Sequence, residues 1–210
     1  MTLYKSPELV ETLITMMGEQ RAYLSEIDGA IGDGDHGINM SKGFFLARER
    51  IQARSTPPNL PQALDDLAMT LLEGIGGSMG PLYGGFFLSM SEALETAGTL
   101  DRESFGTALT QGLEAVQDVG SAQVGDKTLI DTLVPARDAY LAAQTAGLGF
   151  ADCLRDMVNA AEQGQLSTKA LQARVGRSAR LGERSIGVLD AGATSCYFIL
   201  KSMADTINRE

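Results

Sequence analysis

Residues 28–43 read DGAIGDGDHGINMSKG, a stretch holding three aspartates, five glycines and the only histidine of the chain. Asp28, Asp33 and Asp35 stand five and two residues apart. No helix face can carry all three at that spacing, whereas a loop broken by glycine can curl them to one point. Carboxylates with no thiolate and one imidazole are hard ligands, suited to Mg2+, Mn2+ or Ca2+ rather than zinc. Gathered in one loop they also repel, so the loop requires metal or protons to neutralise it. Beyond Gly37 an apolar pattern resumes at Met40, Phe44, Ala47 and Ile51, which predicts a helix starting at His36 or Gly37. Its free N–H groups then face the acids. A helix N-terminus binds phosphate, and Mg2+ commonly shares its shell between carboxylates and phosphate oxygens. The joint reading is a metal–phosphate site.

Simpler readings compete. Asp-Gly pairs form solvated turns. Gly32-x-Gly34-x-x-Gly37 matches the dinucleotide fingerprint, but that motif follows a strand; here the preceding segment is helical, and Asp33 and Asp35 would repel a pyrophosphate lacking metal. An EF-hand counted from Asp33 places Phe44 where a bidentate glutamate belongs.

The rest of the chain reads as helix around this stretch. Ser6-Pro7-Glu8 is a helix start, followed by a stripe of Leu9, Leu13, Met17, Leu24 and Ile27 running to Asp28 as one helix. After the helix at His36, Leu64 to Leu72 predicts a third, ending at Gly74. A fourth begins at Pro81, a fifth is capped by Asp101, and a sixth begins near Asp126 and kinks at Pro135. Phe150 to Ala161 gives a seventh, and Ala193 to Ile207 the last. Alternating strand patterns are absent. Eight main helices joined by short links imply an all-α, antiparallel up-and-down bundle or barrel.

With 210 residues and 44% hydrophobic content, residues 1–210 suit a single domain. A net charge of −10 opposes nucleic-acid or anionic-membrane binding as the main activity. There is no signal-peptide pattern and no apolar run of about eighteen residues, so a cytoplasmic protein is expected. Cys153 and Cys196 fall within apolar helical patterns and read as reduced core residues.

Three further loops suit a ligand. Residues 74–81, GIGGSMGP, let the backbone approach closely and precede a helix, so Ser78 can donate to phosphate; a hinge or tight helix packing is the other reading. Residues 120–128, GSAQVGDKT, resemble a P-loop with an aspartate inserted before Lys127, without the strand that motif requires. Asp126 is therefore read as a helix cap and Lys127-Thr128 as a first helical turn. From Arg174 to Gly192, Arg174, Arg177, Arg180 and Arg184 fall within eleven positions. Arginine forks suit phosphate oxygens, and with Gly176, Gly182 and Gly187 the segment reads as a mobile lid or, alternatively, as a solvated basic loop. All four glycine-containing loops lead into even-numbered helices of the expected bundle, which places them together at one end.

Taken together, Asp28-x4-Asp33-Gly-Asp35-His36-Gly37-x-Asn39-Met40, Gly76-Gly77-Ser78-x-Gly80-Pro81-Leu82-Tyr83-Gly84, Gly125-Asp126-Lys127-Thr128 and Gly182-Glu183-Arg184-Ser185-Ile186-Gly187 to Gly192-Ala193-Thr194-Ser195 resemble the nucleotide-binding L subunits of dihydroxyacetone kinases, in the same order over nearly the whole chain. The resemblance implies an eight-helix barrel with ADP or ATP and two Mg2+ at one end. By motif, Asp28, Asp33 and Asp35 are implied to hold magnesium. His36, Gly37, Ile38, Asn39, Ser78 and Met79 would meet phosphates; Gly120, Leu129, Arg177, Asp190, Ala191 and Gly192 would surround the rest of the nucleotide, with Arg177 the catalytic candidate. Met79 and Ala191 would act through the main chain. Also implied are a dihydroxyacetone-binding K subunit, which would hold substrate on a histidine, and a phosphohistidine-carrying M subunit of the phosphotransferase system, which would recharge ADP in place. The single His36 lies in the metal motif, which leaves both histidine functions to other chains.

Other functions stay open at this stage: an ATP-dependent kinase subunit for another small ketose, a metal-dependent phosphohydrolase, or a non-catalytic nucleotide sensor. A homodimer stays open beside the monomer.

Overall fold

The computed structural model describes residues 7–209, and these contain nine α-helices, short 3-10 segments and no strand. The all-α class agrees with the periodicity. Ser6, expected to cap the first helix, lies outside the described residues. No helix among those described is long and apolar enough to cross a membrane.

Two compact units divide the chain. The first comprises Met1–Gly18, Asn39–Ser121 and Thr206–Glu210. It holds α1 (Pro7–Glu19), most of α3 (His36–Gln52), α4 (Leu60–Gly74), α5 (Met79–Ala97) and α6 (Arg102–Val119). Helix α4 starts at a capping box, with Asn59 Oδ1 accepting from Gln62 N at 2.9 Å and Gln62 Oε1 from Asn59 N at 3.1 Å. Asp101 and Ser104 repeat the device at α6, which bears out Asp101 as a cap. Each satisfies two orphan N–H groups of a helix start. Successive helices α4, α5 and α6 pack side by side. Phe86 and Phe87 meet edge to face, and Phe44 packs edge-on to Phe87 at a centroid distance of 5.9 Å. Asp66, almost fully buried, is clamped by Arg54 Nε at 2.5 Å and Arg50 Nε at 3.2 Å.

The second unit comprises Glu19–Ile38 and Ala122–Asp205, with α2 (Arg21–Ile31), the start of α3, α7 (Ile130–Thr145), α8 (Phe150–Ser167) and most of α9 (Ala191–Ile207). Its core includes Leu24, Ile27, Leu133, Tyr140, Leu154, Met157, Ile199 and Leu200. Cys153 and Cys196 are buried thiols outside any disulfide, as expected, and burial pushes the Cys196 thiol well above its usual range. At one point α7 and α8 nearly touch: a Cβ on Gly164 would lie 2.2 Å from the Asp131 carbonyl oxygen. Pro135, four residues on, has no N–H to return to that carbonyl. Only glycine fits opposite it.

Two expectations are corrected. The single helix from Ser6 to Asp28 is two, broken at Gln20, and the second runs through Asp28 to Ile31; the apolar stripe crosses the break because it reports burial and not helix continuity. Helix α7 runs from Ile130 to Thr145 with Pro135 inside it. That helix begins at Ile130 and not near Asp126, because Lys127 has φ of 65°, a left-handed conformation that no helix turn contains.

Candidate metal and phosphate site

Helix α2 carries Asp28 on its last turn, and the chain then reverses through Gly32, Asp33, Gly34 and Asp35 into α3 at His36. Gly34 takes φ of 76°, open to glycine at little cost. Gly37 is demanded by packing: a Cβ there would sit 2.1 Å from Arg21 O and 2.8 Å from Ser25 N. The close approach of α2 to the α3 N-terminus folds the loop so that one ligand oxygen from each of Asp28, Asp33 and Asp35 lies within 4.8 Å of the others. Asp28 also caps α3, its Oδ2 accepting from His36 N at 3.3 Å.

The cluster already attracts a cation. Arg177 Nη1 pairs with Asp33 Oδ2 and stands 3.7 Å from Asp35 Oδ2. Three hard oxygen donors from two side chains of intermediate exposure and one exposed, with an arginine drawn onto them, fit a magnesium-class ion. Sequence reasoning foresaw the acids and Arg177; the structure brings these four together.

His36 is placed differently from a phosphate contact by its ring. The imidazole is 7% exposed and its Nε2 is 2.9 Å from Ser195 Oγ. Burial lowers its pKa to about 4 against the opposing pull of Asp28, so the ring is neutral at pH 7. A phosphate contact at the start of α3 would therefore fall to the main chain and not to the ring.

Asp190 is the N-cap of α9. Its carboxylate accepts from Ala193 N at 2.7 Å, and its own N–H donates to Thr168 Oγ1 at 3.0 Å. Burial pushes its pKa up to about 7; the Ala193 N–H opposes that, Asp131 adds to it and Lys127 opposes it. Gly192 sits tightly here, because a Cβ would meet Asp190 Oδ2 at 3.0 Å and Leu129 N at 3.6 Å. Leu129, Asp190, Ala191 and Gly192 thus share one corner of the second unit. Asn39, Ser78, Met79 and Gly120 belong to the first unit. Ser78 is exposed at the N-terminus of α5 and spends no side-chain bond on capping it, and Gly80 fits against the Ile75 and Leu71 carbonyls, where a Cβ would lie at 2.6 and 2.8 Å. Gly120 ends α6 in an extended conformation.

Two residues that sequence reasoning misread shape the arginine segment. Asp126 caps no helix; its Oδ2 accepts from Gln123 N at 2.8 Å within a turn. Lys127 is no phosphate-facing first turn, because its ammonium points inward onto three carbonyls. Asp131, passed over entirely, accepts from Gly125 N at 2.6 Å and Thr128 N at 2.7 Å. Nothing but its position four residues after Lys127 could have signalled it. The arginine segment, read from the sequence as a mobile lid, is held by hydrogen bonds at and beside its ends: Ala173 N to Ser185 Oγ at 2.9 Å, Arg174 N to Asp126 O at 3.1 Å and Gly187 N to Lys169 O at 2.8 Å.

Residues 30–205 match the family model described as the DAK2 domain. The chain is 39% identical over 188 residues to the ADP-binding subunit DhaL of PEP-dependent dihydroxyacetone kinase 1 of Listeria innocua, covering 90% of this chain and 88% of that protein. It is 37% identical over 182 residues to the corresponding subunit of Escherichia coli, covering 87% and 86%. Among solved structures, the dihydroxyacetone kinase of C. freundii in complex with AMP-PNP and Mg2+ aligns with a TM-score of 0.70 at 25% identity over 95% of this chain. This chain spans 33% of that larger kinase chain. With residues 30–205 matched and relatives aligned over most of both chains, the protein belongs to the DAK2 domain family.

Proposed function

We propose that this chain is the ADP/ATP-binding, phosphoryl-transfer subunit of a dihydroxyacetone kinase, a phosphotransferase. The observation that carries the reading is the set of Asp28, Asp33 and Asp35 oxygens within 4.8 Å of one another with Arg177 against Asp33 and Asp35. The names of the Listeria and E. coli relatives support the nucleotide, and the ligands of the C. freundii structure support nucleotide with magnesium.

In this reading Asp28, Asp33 and Asp35 hold two Mg2+, whose chemistry is to neutralise polyphosphate charge as a phosphoryl group leaves. Arg177 exchanges its carboxylate partners for phosphate oxygens, a charge-assisted pairing its fork suits. The main chain at His36, Gly37, Ile38 and Asn39, with Ser78 and Met79, supplies donors to phosphate. Gly120, Leu129, Asp190, Ala191 and Gly192 flank the nucleoside part. The proposal takes residues 1–210 as one nucleotide- and Mg-binding domain, supported by a family match that runs unbroken from 30 to 205.

Phosphate passes to dihydroxyacetone held on a K subunit, and ADP is rephosphorylated in place by a phosphohistidine-carrying M subunit, in the cytoplasm. The test is mass spectrometry of protein purified without added nucleotide, before and after chelation. We expect ADP to be retained with Mg2+ and released by excess chelator, since three carboxylates cannot face a polyphosphate without cations between them. Folded protein that is nucleotide-free from the outset and binds no added ADP-Mg2+ would overturn the reading.

A further inference from the structure

Lysine at the surface would suit so acidic a chain, yet Lys127 is 1% exposed. Its ammonium donates to Leu171 O at 3.1 Å, Ser185 O at 2.6 Å and Val188 O at 2.6 Å. An ammonium has three protons and no acceptor capacity, so these bonds use it completely. The acceptors lie on both sides of Arg177 in the sequence. One buried cation therefore gathers both ends of the segment that delivers Arg177 to Asp33 and Asp35.

How the side chain comes to point inward is visible in the backbone. Lys127 is the one non-glycine residue with positive φ among those described, an uncommon conformation for a long side chain. The Asp131 carboxylate holds it there by accepting the N–H groups of Gly125 and Thr128, which flank it. Strain of this kind persists where the surroundings over-determine it, and it clusters at functional sites. Burial lowers the ammonium pKa while Asp190 and Asp131 hold it up. A lysine serves where a backbone donor cannot, because three carbonyls from separate turns converge on one point.

We propose that Lys127 is a positioning residue for the phosphate-facing arginine: it ties residues 171–188 into a strap and so fixes where Arg177 stands against the acid cluster. The inference rests on the nucleotide reading only in taking phosphate as the partner of Arg177. It departs from the P-loop-like reading of Gly125-Asp126-Lys127-Thr128, in which the lysine itself would touch phosphate.

The test is a double-mutant cycle on MgADP binding, measured by calorimetry on the full chain. Lys127→Met keeps an unbranched stem and removes the donors. A positioning role predicts that Lys127→Met weakens MgADP binding about tenfold or more, close to the loss in Arg177→Ala, and that combining them adds less than about twofold because both act through one contact. A lysine that only stabilises the fold would lower the melting temperature but leave the affinity of folded protein intact, with Arg177→Ala costing its full amount in either background; that outcome overturns the proposal. Should Lys127→Met fail to fold, hydrogen exchange on the unaltered protein decides: amides 125–128 and 172–188 should open as one unit, and independent, faster opening of the strap would refute the tie. If wild type binds no MgADP, the nucleotide reading fails, and the exchange measurement still judges the strap.

Discussion

Substituting Gly164→Ala sets two effects of opposite sign against each other. Alanine in a helix interior is favoured over glycine by about 1 kcal/mol. Against this, the new methyl would lie 2.2 Å from Asp131 O and 3.1 Å from Asp131 C and Thr132 Cα. Carbon and carbonyl oxygen come no closer than about 3.3 Å without strain, so α7 and α8 must part there by about 1 Å. Both faces are backbone, and no rotamer can yield. Overpacking of this kind costs about 1–3 kcal/mol; with an unyielding contact the upper part of that range applies, leaving a net loss of about 1–2 kcal/mol. In a chain of this size that lowers the melting temperature by about 2–8 °C. Gly18→Ala is the internal control, since no atom stands within 4 Å of its Cβ position, and it should raise the midpoint by about 1–4 °C. Because Asp131 holds the Gly125 and Thr128 amides, Gly164→Ala should also speed their exchange more than that of α5 amides. Circular-dichroism melts of both variants, with hydrogen exchange, check this. A Gly164→Ala variant that melts at or above wild type would refute the reasoning about the α7–α8 contact.

Asp33→Asn or Asp35→Asn should lower Mg-dependent ADP retention about tenfold or more while far-UV circular dichroism stays unchanged, since each removes a hard ligand but keeps the shape of the loop; equal retention in both variants would remove them from the metal set. The pH dependence of stability in metal-free protein has two opposed parts. His36, held down to about 4, contributes stability present above its ordinary 6.5 and lost as pH falls toward 4. Asp190, raised to about 7, contributes stability present below its ordinary 3.8 and lost as pH rises to 7. Asp190→Asn keeps a good N-cap and removes the second part, so its stability relative to wild type should climb by up to about 1.4 kcal/mol per pH unit between pH 4 and 7. Urea unfolding of both proteins at several pH values measures this, and a difference that is flat with pH would count against the raised Asp190.

Much of this protein is local in its sequence, and those parts were legible. The 3.6-residue apolar spacing names the helices, and Asp101 names a helix start, because both depend on residues within a turn of one another. Asp28, Asp33 and Asp35 were readable as one cluster, since they lie within eight residues and the glycines between them let the chain curl them to one point. What tertiary structure decided depends on partners far along the chain. The stripe over Leu13, Met17 and Leu24 gave no sign of the break at Gln20. Pro135 leaves the Asp131 carbonyl free for a close approach that Gly164 admits. Lys127 follows a glycine-rich loop much as a P-loop lysine does, one residue out of place, yet its direction is set by a positive φ that Asp131 imposes and by carbonyls 44 to 61 residues away. An ammonium goes where its three acceptors converge, and only the folded chain brings those carbonyls to one point.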